Sequence, residues 1–137
     1  MIYIERRERF SAAHQLYNPG WSEEQNEAVF GKCANQNFHG HNFEMIVTVK
    51  GEVNPDTGFV MNLTDLKEII RTNVTDKLDH KNLNLDVDFL KGKMTSTENI
   101  AIEAWKIIAP KVAEHGVQLH CIRLVETENN AVEYYGE

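Results

Sequence analysis

The sequence has no apolar run long enough to cross a lipid bilayer, and its first residues, MIYIERRERF, lack the apolar core of a secretory signal peptide. It has only two cysteines, Cys33 and Cys121, and their unlike contexts do not suit a disulfide framework. Few and unpaired cysteines are typical of reducing compartments. We therefore expect a soluble cytoplasmic protein.

Basic residues are also scarce, with 14 Lys and Arg against 21 Asp and Glu and a formal net charge of -7. Nucleic-acid binding depends on clustered Lys and Arg, so that class of protein is not indicated. A small anionic substrate is not excluded, because a few local cations suffice to hold it. The length of 137 residues predicts one domain, residues 1–137, with no room for a second core.

The apolar pattern predicts strands and helices in separate blocks of the chain. Residues 41–53 alternate between apolar and polar positions, as a half-buried strand does. Residues 62–77 have helical spacing, and residues 95–98 (TSTE) match a capping box for a second helix, which Pro110 should end or kink. We also predict a helical turn at residues 22–30 and a polar loop at residues 79–86. Four further strands are predicted at residues 2–13, 59–61, 117–126 and 131–135. This order favours an α+β domain with an antiparallel sheet, whose edge strands must be blunted or paired with another subunit.

His39 and His41, separated by Gly40, form the sharpest local signal for chemistry. In a strand, residues two apart point to the same face, so the two imidazoles could converge on one metal ion. The context of His14, at the end of the first strand beside small residues, favours it as a third ligand, although spacing alone does not decide this. Three neutral nitrogens with an open position are typical of catalytic zinc. The alternative is that these are ordinary polar residues at a strand end.

Cys33 lies six residues before His39 and has three possible roles. It could be a fourth ligand that closes a structural zinc site, or a free thiolate beside the metal. It could also be a buried and inert cysteine, which is the commoner case for a lone cysteine. Its setting, FGKCANQN, is too polar for a core position and disfavours the inert role.

The segments FSAAH and GKCANQNFHGHN are similar to those of the 6-pyruvoyl-tetrahydropterin synthase family. The resemblance continues through TGFVMNLTDLK, LDHKNLN, STENIAIEAW and VETENNAVEYYGE, and so covers essentially the whole chain in order. It implies the tunnelling fold (T-fold), in which two helices pack on one face of a four-stranded antiparallel sheet. It also implies that three subunits form a barrel and that two trimers stack into a homohexamer, with active sites between subunits.

The resemblance assigns roles to residues that the local pattern leaves ambiguous. From the pattern alone, the Asp79–His80 pair reads as a loop contact, Glu126 as a solvated carboxylate, and residues 95–98 as a helix cap. The resemblance implies zinc ligands at His14, His39 and His41, catalytic residues at Cys33, Asp79, His80 and Glu126, and substrate-binding residues at Ser96, Thr97, Glu98 and Glu126.

One position departs from the family pattern. Family members often have Arg directly after the first zinc histidine, whereas this chain has Gln15. If that Arg helps to hold triphosphate, Lys32 or Arg9 would have to replace it here.

The implied function is a zinc-dependent lyase that converts 7,8-dihydroneopterin triphosphate to 6-pyruvoyl-tetrahydropterin and eliminates triphosphate. An alternative within the same fold is 6-carboxytetrahydropterin synthesis for the queuosine and deazapurine route, a carbon-carbon lyase reaction that also releases acetaldehyde. The five residues between Cys33 and His39 resemble the pyruvoyl-type enzymes. Two further alternatives are a non-catalytic zinc protein and a three-histidine zinc hydrolase, in which Cys33 would be dispensable.

Overall fold

The computed structural model describes residues 1–137 as five strands, three main helices and several short turns of helix. The strands are β1 (Ile2–His14), β2 (His39–Gly51), β3 (Lys81–Asn82), β4 (Gln118–Thr127) and β5 (Asn130–Tyr134). The helices are α1 (Glu23–Phe30), α2 (Leu63–Ile70) and α3 (Thr97–Ala113). The short pieces are 3-10 turns at Gly31–Ala34 and Asp88–Leu90, a π-helical turn at Arg71–Thr75 and an α-helical turn at Asp76–Leu78.

The five strands form one sheet in the order β3-β1-β2-β4-β5. The long β1 and β2 are antiparallel over their whole length, from Ile2 opposite Gly51 to His14 opposite His39. Strands β2, β4 and β5 continue the antiparallel pattern. The α+β class is thus confirmed, but the expected four-stranded, wholly antiparallel sheet is wrong.

The fifth strand is the short β3, which pairs in parallel with β1 through Lys81 opposite Ala12. It lies inside residues 79–86, which we predicted as a polar loop. Two polar residues carry no alternating apolar pattern, so only their pairing with β1 makes them a strand. The strand predicted at residues 59–61 does not form, because Asn62 already caps α2 there, accepting a hydrogen bond of 2.9 Å from the Thr64 amide.

One face of the sheet packs against α2 and α3 to form the hydrophobic core. Alternate residues of β2, namely Phe43, Met45, Val47 and Val49, are fully buried on this face, which confirms the predicted alternation. Leu66 and Ile70 of α2 and Ile100, Ala104 and Ile108 of α3 cover them. The opposite face carries charged side chains, including the ion pairs Arg9–Glu44 and Arg123–Glu133.

The ends of both predicted helices differ from the sequence-based expectation. Helix α2 ends at Ile70, and the chain then widens into the π-helical turn before the last turn ends at Leu78. Helix α3 is capped by Ser96, whose hydroxyl accepts a hydrogen bond of 3.2 Å from the Asn99 amide, so the predicted Thr95–Glu98 capping box is wrong. Pro110 lies inside α3, which continues to Ala113 because the buried Val112 packs this last turn against the core.

None of these helices combines the length and the apolar character that a membrane span requires.

Candidate metal centre and adjoining pocket

The antiparallel pairing of β1 and β2 brings three histidines together. His14 at the end of β1 lies opposite His39 at the start of β2, and Ala12 lies opposite His41. The ring centroids are 4.4 Å apart for His14 and His39, 5.2 Å for His14 and His41, and 4.8 Å for His39 and His41. One nitrogen of each ring lies within 4.8 Å of the others, a spacing at which all three could bind one metal ion.

The hydrogen bonds of these rings leave nitrogen atoms free to bind a metal. Nδ1 of the fully buried His14 lies 2.7 Å from the carbonyl oxygen of Thr95, which can only accept, so Nδ1 carries the proton and Nε2 keeps its lone pair. Nε2 of His14, both ring nitrogens of His39 and Nε2 of His41 are buried without a hydrogen-bond partner. Buried polar atoms are rarely left unpartnered, and a metal ion would satisfy these.

The protonation of the histidines also suits a metal. Burial lowers the pKa of His14, although the hydrogen bond to Thr95 partly opposes that change. Burial lowers the pKa of His39 as well, and positive charge on His14 or His41 would lower it further. Neutral imidazole is the form that binds metal, so both rings are in the binding form at neutral pH.

Glu126, near the end of β4, lies beside His14 and His41. Its Oε2 lies 3.9 Å from His14 Nε2, and its Oε1 lies 3.9 Å from His41 Nε2. The hydroxyl of Thr97, at the start of α3, donates a hydrogen bond of 2.6 Å to Glu126 Oε2. The carboxylate is therefore oriented and lies next to the candidate metal site.

A pocket of about 420 Å³ adjoins this carboxylate. It is lined by all four residues that the resemblance assigns to substrate binding, Ser96, Thr97, Glu98 and Glu126. Sequence reasoning missed the other lining residues, which are Leu16, Asn129, Asn130, Ala131 and Val132. The asparagines were predicted only as a hairpin turn, and nothing in a turn signal indicates that it borders a pocket.

Cys33 lies on the short 3-10 helix Gly31–Ala34 and is half-buried. It is not part of the group of side chains that could share one metal ion, which consists of the three histidines. The closed four-ligand site considered from the sequence is therefore not the arrangement that the structure has. Lys32 beside it is exposed, whereas Arg9 lies on the opposite face of the sheet from His14, paired with Glu44 at 3.0 Å.

Asp79 and His80 are held against β1 beside a second cavity, which His80 lines. Asp79 Oδ1 accepts a hydrogen bond of 2.8 Å from the Ser11 amide, which lowers the pKa of that carboxyl group, and its Oδ2 lies 2.9 Å from His80 Nδ1. The His80 amide donates to the Ser11 carbonyl at 2.6 Å, with His80 in the left-handed region at a φ of 59°.

The imidazole of His80 is 84% exposed and lines a cavity of about 480 Å³. The lining of this cavity includes His41, one of the three clustered histidines, together with Ser11, Ala12, Ala13, Gly40, Asn42, Lys81 and Asn82. His80 does not line the pocket that contains Glu126.

Comparisons with known proteins identify the family of this chain. The family model of 6-pyruvoyl tetrahydropterin synthase matches residues 3–137. The chain is 47% identical to the 6-pyruvoyl tetrahydrobiopterin synthase of Pongo abelii, over 98% of this chain and 91% of that protein. It is 46% identical to the enzyme of that name from Dictyostelium discoideum, over 99% of this chain and 97% of that protein. The solved structure of Caenorhabditis elegans 6-pyruvoyl tetrahydropterin synthase superimposes with a TM-score of 0.87 at 37% identity, covering 99% of this chain and 96% of that one. The chain belongs to the 6-pyruvoyl tetrahydropterin synthase family.

Proposed function

We propose that this protein is a zinc-dependent 6-pyruvoyl-tetrahydropterin synthase, a carbon-oxygen lyase that eliminates triphosphate from 7,8-dihydroneopterin triphosphate. The observation that carries the proposal is the convergence of three unpartnered histidines beside a pocket with an oriented carboxylate, in a chain of this family. We propose residues 1–137 as a single pterin synthase domain, and a cytoplasmic location stays a prediction.

The three histidines would hold zinc through His14, His39 and His41. Three neutral imidazoles that leave a position open are the donor set of catalytic zinc. Zinc bound there would act as a Lewis acid that acidifies the hydroxyl groups of the substrate side chain. Burial keeps the rings of His14 and His39 neutral, and the Thr95 carbonyl fixes the orientation and tautomer of the His14 ring.

Glu126 would anchor the pterin ring in the pocket. A carboxylate can accept two parallel N–H bonds from the guanidine-like edge of a pterin, as it does from Arg. The Thr97 hydroxyl fixes its orientation, and the first backbone N–H groups of α3, next to Ser96, Thr97 and Glu98, provide further donors. This arrangement would place the substrate side chain toward the histidines.

Cys33 would act as the base that removes a proton from the carbon attached to the pterin ring. The electron pair moves into the adjacent C=N bond, and the ring nitrogen takes up a proton. The hydroxyl on the deprotonated carbon then loses its proton to become a ketone, while the ring carbon is protonated. Loss of the proton on the next side-chain carbon forms a C=C bond as triphosphate leaves with the electrons of its C–O bond, and the resulting enol tautomerises to the second ketone. A thiolate suits proton abstraction near neutral pH. We expect Cys33→Ala to lose turnover while it keeps zinc, and full activity in that variant would instead support a zinc hydrolase.

Asp79 and His80 would act as an oriented acid-base pair on a site formed with a neighbouring subunit. The support for this proposal is the exposed His80 ring, which lines a cavity together with His41 and lies outside the pocket that contains Glu126. Strand β5 is an edge of the sheet, and an exposed edge can pair with another chain. We propose the T-fold barrel of three subunits and a homohexamer of two trimers; light scattering that finds a monomer would refute this assembly.

The deciding experiment is to incubate the zinc-loaded protein with 7,8-dihydroneopterin triphosphate and to identify the products by mass spectrometry. We expect a pyruvoyl product with free triphosphate. A carboxy product with acetaldehyde would move the protein to the queuosine and deazapurine reaction. No turnover, with or without zinc, would contradict the enzymatic function.

A further inference from the structure

Gln15, the residue that departs from the family pattern, connects the end of β1 to the segment that carries Cys33. Its side-chain Nε2 donates a hydrogen bond of 2.8 Å to the carbonyl oxygen of Ala34. The amide of the next residue, Leu16, donates a hydrogen bond of 2.8 Å to the carbonyl oxygen of Cys33. Two consecutive residues after His14 therefore hold two consecutive carbonyl groups at and just after Cys33.

The Cys33 segment has little else to fix it. It is a 3-10 helix of four residues, Gly31–Ala34, with no side-chain cap at its start and no buried residue. Helices of this type are stable only in short pieces, and their last carbonyl groups have no partner within the helix. The hydrogen bonds from Gln15 and Leu16 supply those partners, so they fix the position of the Cys33 segment relative to the end of β1.

Gln15 is itself fixed by Asn84, which follows β3. The Gln15 amide donates to Asn84 Oδ1 at 2.8 Å, and Asn84 Nδ2 donates to the Gln15 carbonyl at 2.9 Å. The side chain of Asn84 thus makes the two backbone hydrogen bonds that a neighbouring strand would make with Gln15. It does so just beyond the point where the pairing of β3 with β1 ends. The backbone of Gln15 cannot shift without breaking both bonds.

The same network reaches the candidate metal ligand. The hydroxyl of the fully buried Thr95 donates to Asn84 Oδ1 at 3.0 Å, and the Thr95 carbonyl oxygen lies 2.7 Å from His14 Nδ1. A continuous set of contacts therefore runs from the His14 ring through Thr95, Asn84 and Gln15 to the carbonyl of Ala34. All of these residues are buried or half-buried, where hydrogen bonds are strongest.

From this network we infer that Gln15 and Asn84 are positioning residues, which hold Cys33 at a set place relative to His14. This inference rests on the proposed function, in which Cys33 removes the proton from a substrate held at the histidines. A small displacement of a base from its proton lowers turnover without a matching loss of binding. Gln15 thus has a structural task in this chain, whatever group holds the triphosphate.

The test compares Gln15→Met, which keeps the side-chain length but removes the N–H donor, with wild type. Gln15→Arg, which restores N–H donors, serves as the rescue variant. Gln25→Met is the matched control, because Gln25 is exposed on α1. For each zinc-loaded protein we would measure kcat and KM with 7,8-dihydroneopterin triphosphate, the rate of Cys33 alkylation by iodoacetamide located by peptide mass spectrometry, the zinc content and the Tm.

We expect Gln15→Met to lower kcat by about 10- to 100-fold with KM changed by about twofold or less. In the same variant the alkylation rate of Cys33 should change by about fivefold or more, while the zinc content stays as in wild type. Gln15→Arg should return both kcat and the alkylation rate toward the wild-type values. Wild-type kcat and alkylation rate in a folded Gln15→Met protein would overturn the inference. A loss of kcat that only follows a loss of zinc or of Tm would also overturn it, since the role would then be merely structural.

If Gln15→Met does not fold, Gln15→Glu carries the same test, because it keeps size and polarity but sets a carboxylate against the Ala34 carbonyl. The two proposals fail differently. If wild type gives no pterin product, the proposed function fails, while the alkylation rates still decide whether Gln15 positions Cys33.

Discussion

The hydroxyl group of Thr97 donates a hydrogen bond of 2.6 Å to Glu126 Oε2, joining the first residue of α3 to the end of β4. The two residues are 29 positions apart in the chain, and their contact exists only because α3 packs across β4. It fixes the orientation of the carboxylate that we propose as the pterin anchor. Several measurable consequences depend on such long-range contacts.

Thr97→Val removes this donor and should raise KM for the pterin substrate by about three- to thirtyfold, because a hydrogen bond to a charged group is lost. Thr97→Ser keeps the hydroxyl and is the matched control. Glu126→Gln should have a larger effect, since an amide cannot accept two parallel N–H bonds as a carboxylate does. Steady-state kinetics gives the comparison, and an unchanged KM in both Thr97→Val and Glu126→Gln would place the pterin elsewhere.

His39→Ala should abolish stoichiometric zinc binding, because it leaves two of the three converging nitrogens. Removal of zinc from wild type by a chelator should lower the Tm, because a ligand that binds only the folded state stabilises it. Elemental analysis and thermal unfolding measure the two effects. His115→Ala is the control: it alters an exposed histidine outside the cluster and should retain zinc. Full zinc occupancy in His39→Ala would show that the metal site lies elsewhere.

The stability of the metal-free protein should fall as the pH is lowered below 6.5, the ordinary histidine value from which the pKa of His14 and His39 is lowered. As the pH falls, the two histidines of the unfolded chain take up protons before those of the folded chain. Their full contribution to the free energy of unfolding is therefore present above that pH, and it decreases until the pH reaches the folded pKa values. The measurement is the Tm of the metal-free protein between about pH 7.5 and about pH 5.5.

His39→Gln should reduce this slope, and His115→Gln should leave it unchanged. Equal slopes in wild type and His39→Gln would contradict the assignment of the effect to the histidine cluster.

Glu8→Gln should destabilise the fold by about 1–3 kcal/mol. Glu8 is only 7% exposed and accepts hydrogen bonds of 2.9 Å from Arg6 Nε and from Arg71 Nε, so it fastens the π-helical turn to β1. Both guanidinium groups are partly exposed, which keeps the cost below that of a fully buried pair. Urea unfolding would detect a lower midpoint, with exposed Glu5→Gln as the control; equal midpoints would show that the pair contributes little.

Local patterns predicted the regular elements well where one face of a long element is buried. The alternation of residues 41–53 corresponds to β2, and the helical spacing after Asn62 corresponds to α2. The patterns did not predict β3 or the cap at Ser96, and they left open whether Pro110 ends or kinks α3. In each case a contact with a distant part of the chain decides the outcome: Lys81 pairs with Ala12, Val112 packs in the core, and the Thr95 hydroxyl donates a hydrogen bond to Asn84.

The sequence by itself determined the family, the α+β class and the pairing of His39 with His41, because the motifs cover the whole chain in order and the two histidines share a strand face. Spacing alone did not decide His14, which the pairing of β1 with β2 brings to them. Only the tertiary structure decided how these residues are grouped. It placed Thr97 and Glu126 in one pocket, left His80 outside that pocket, and joined Gln15 by a hydrogen bond to the segment of Cys33. The reason is physical: strand and helix periodicity is a local property, whereas hydrogen bonds between distant segments depend on how whole elements pack.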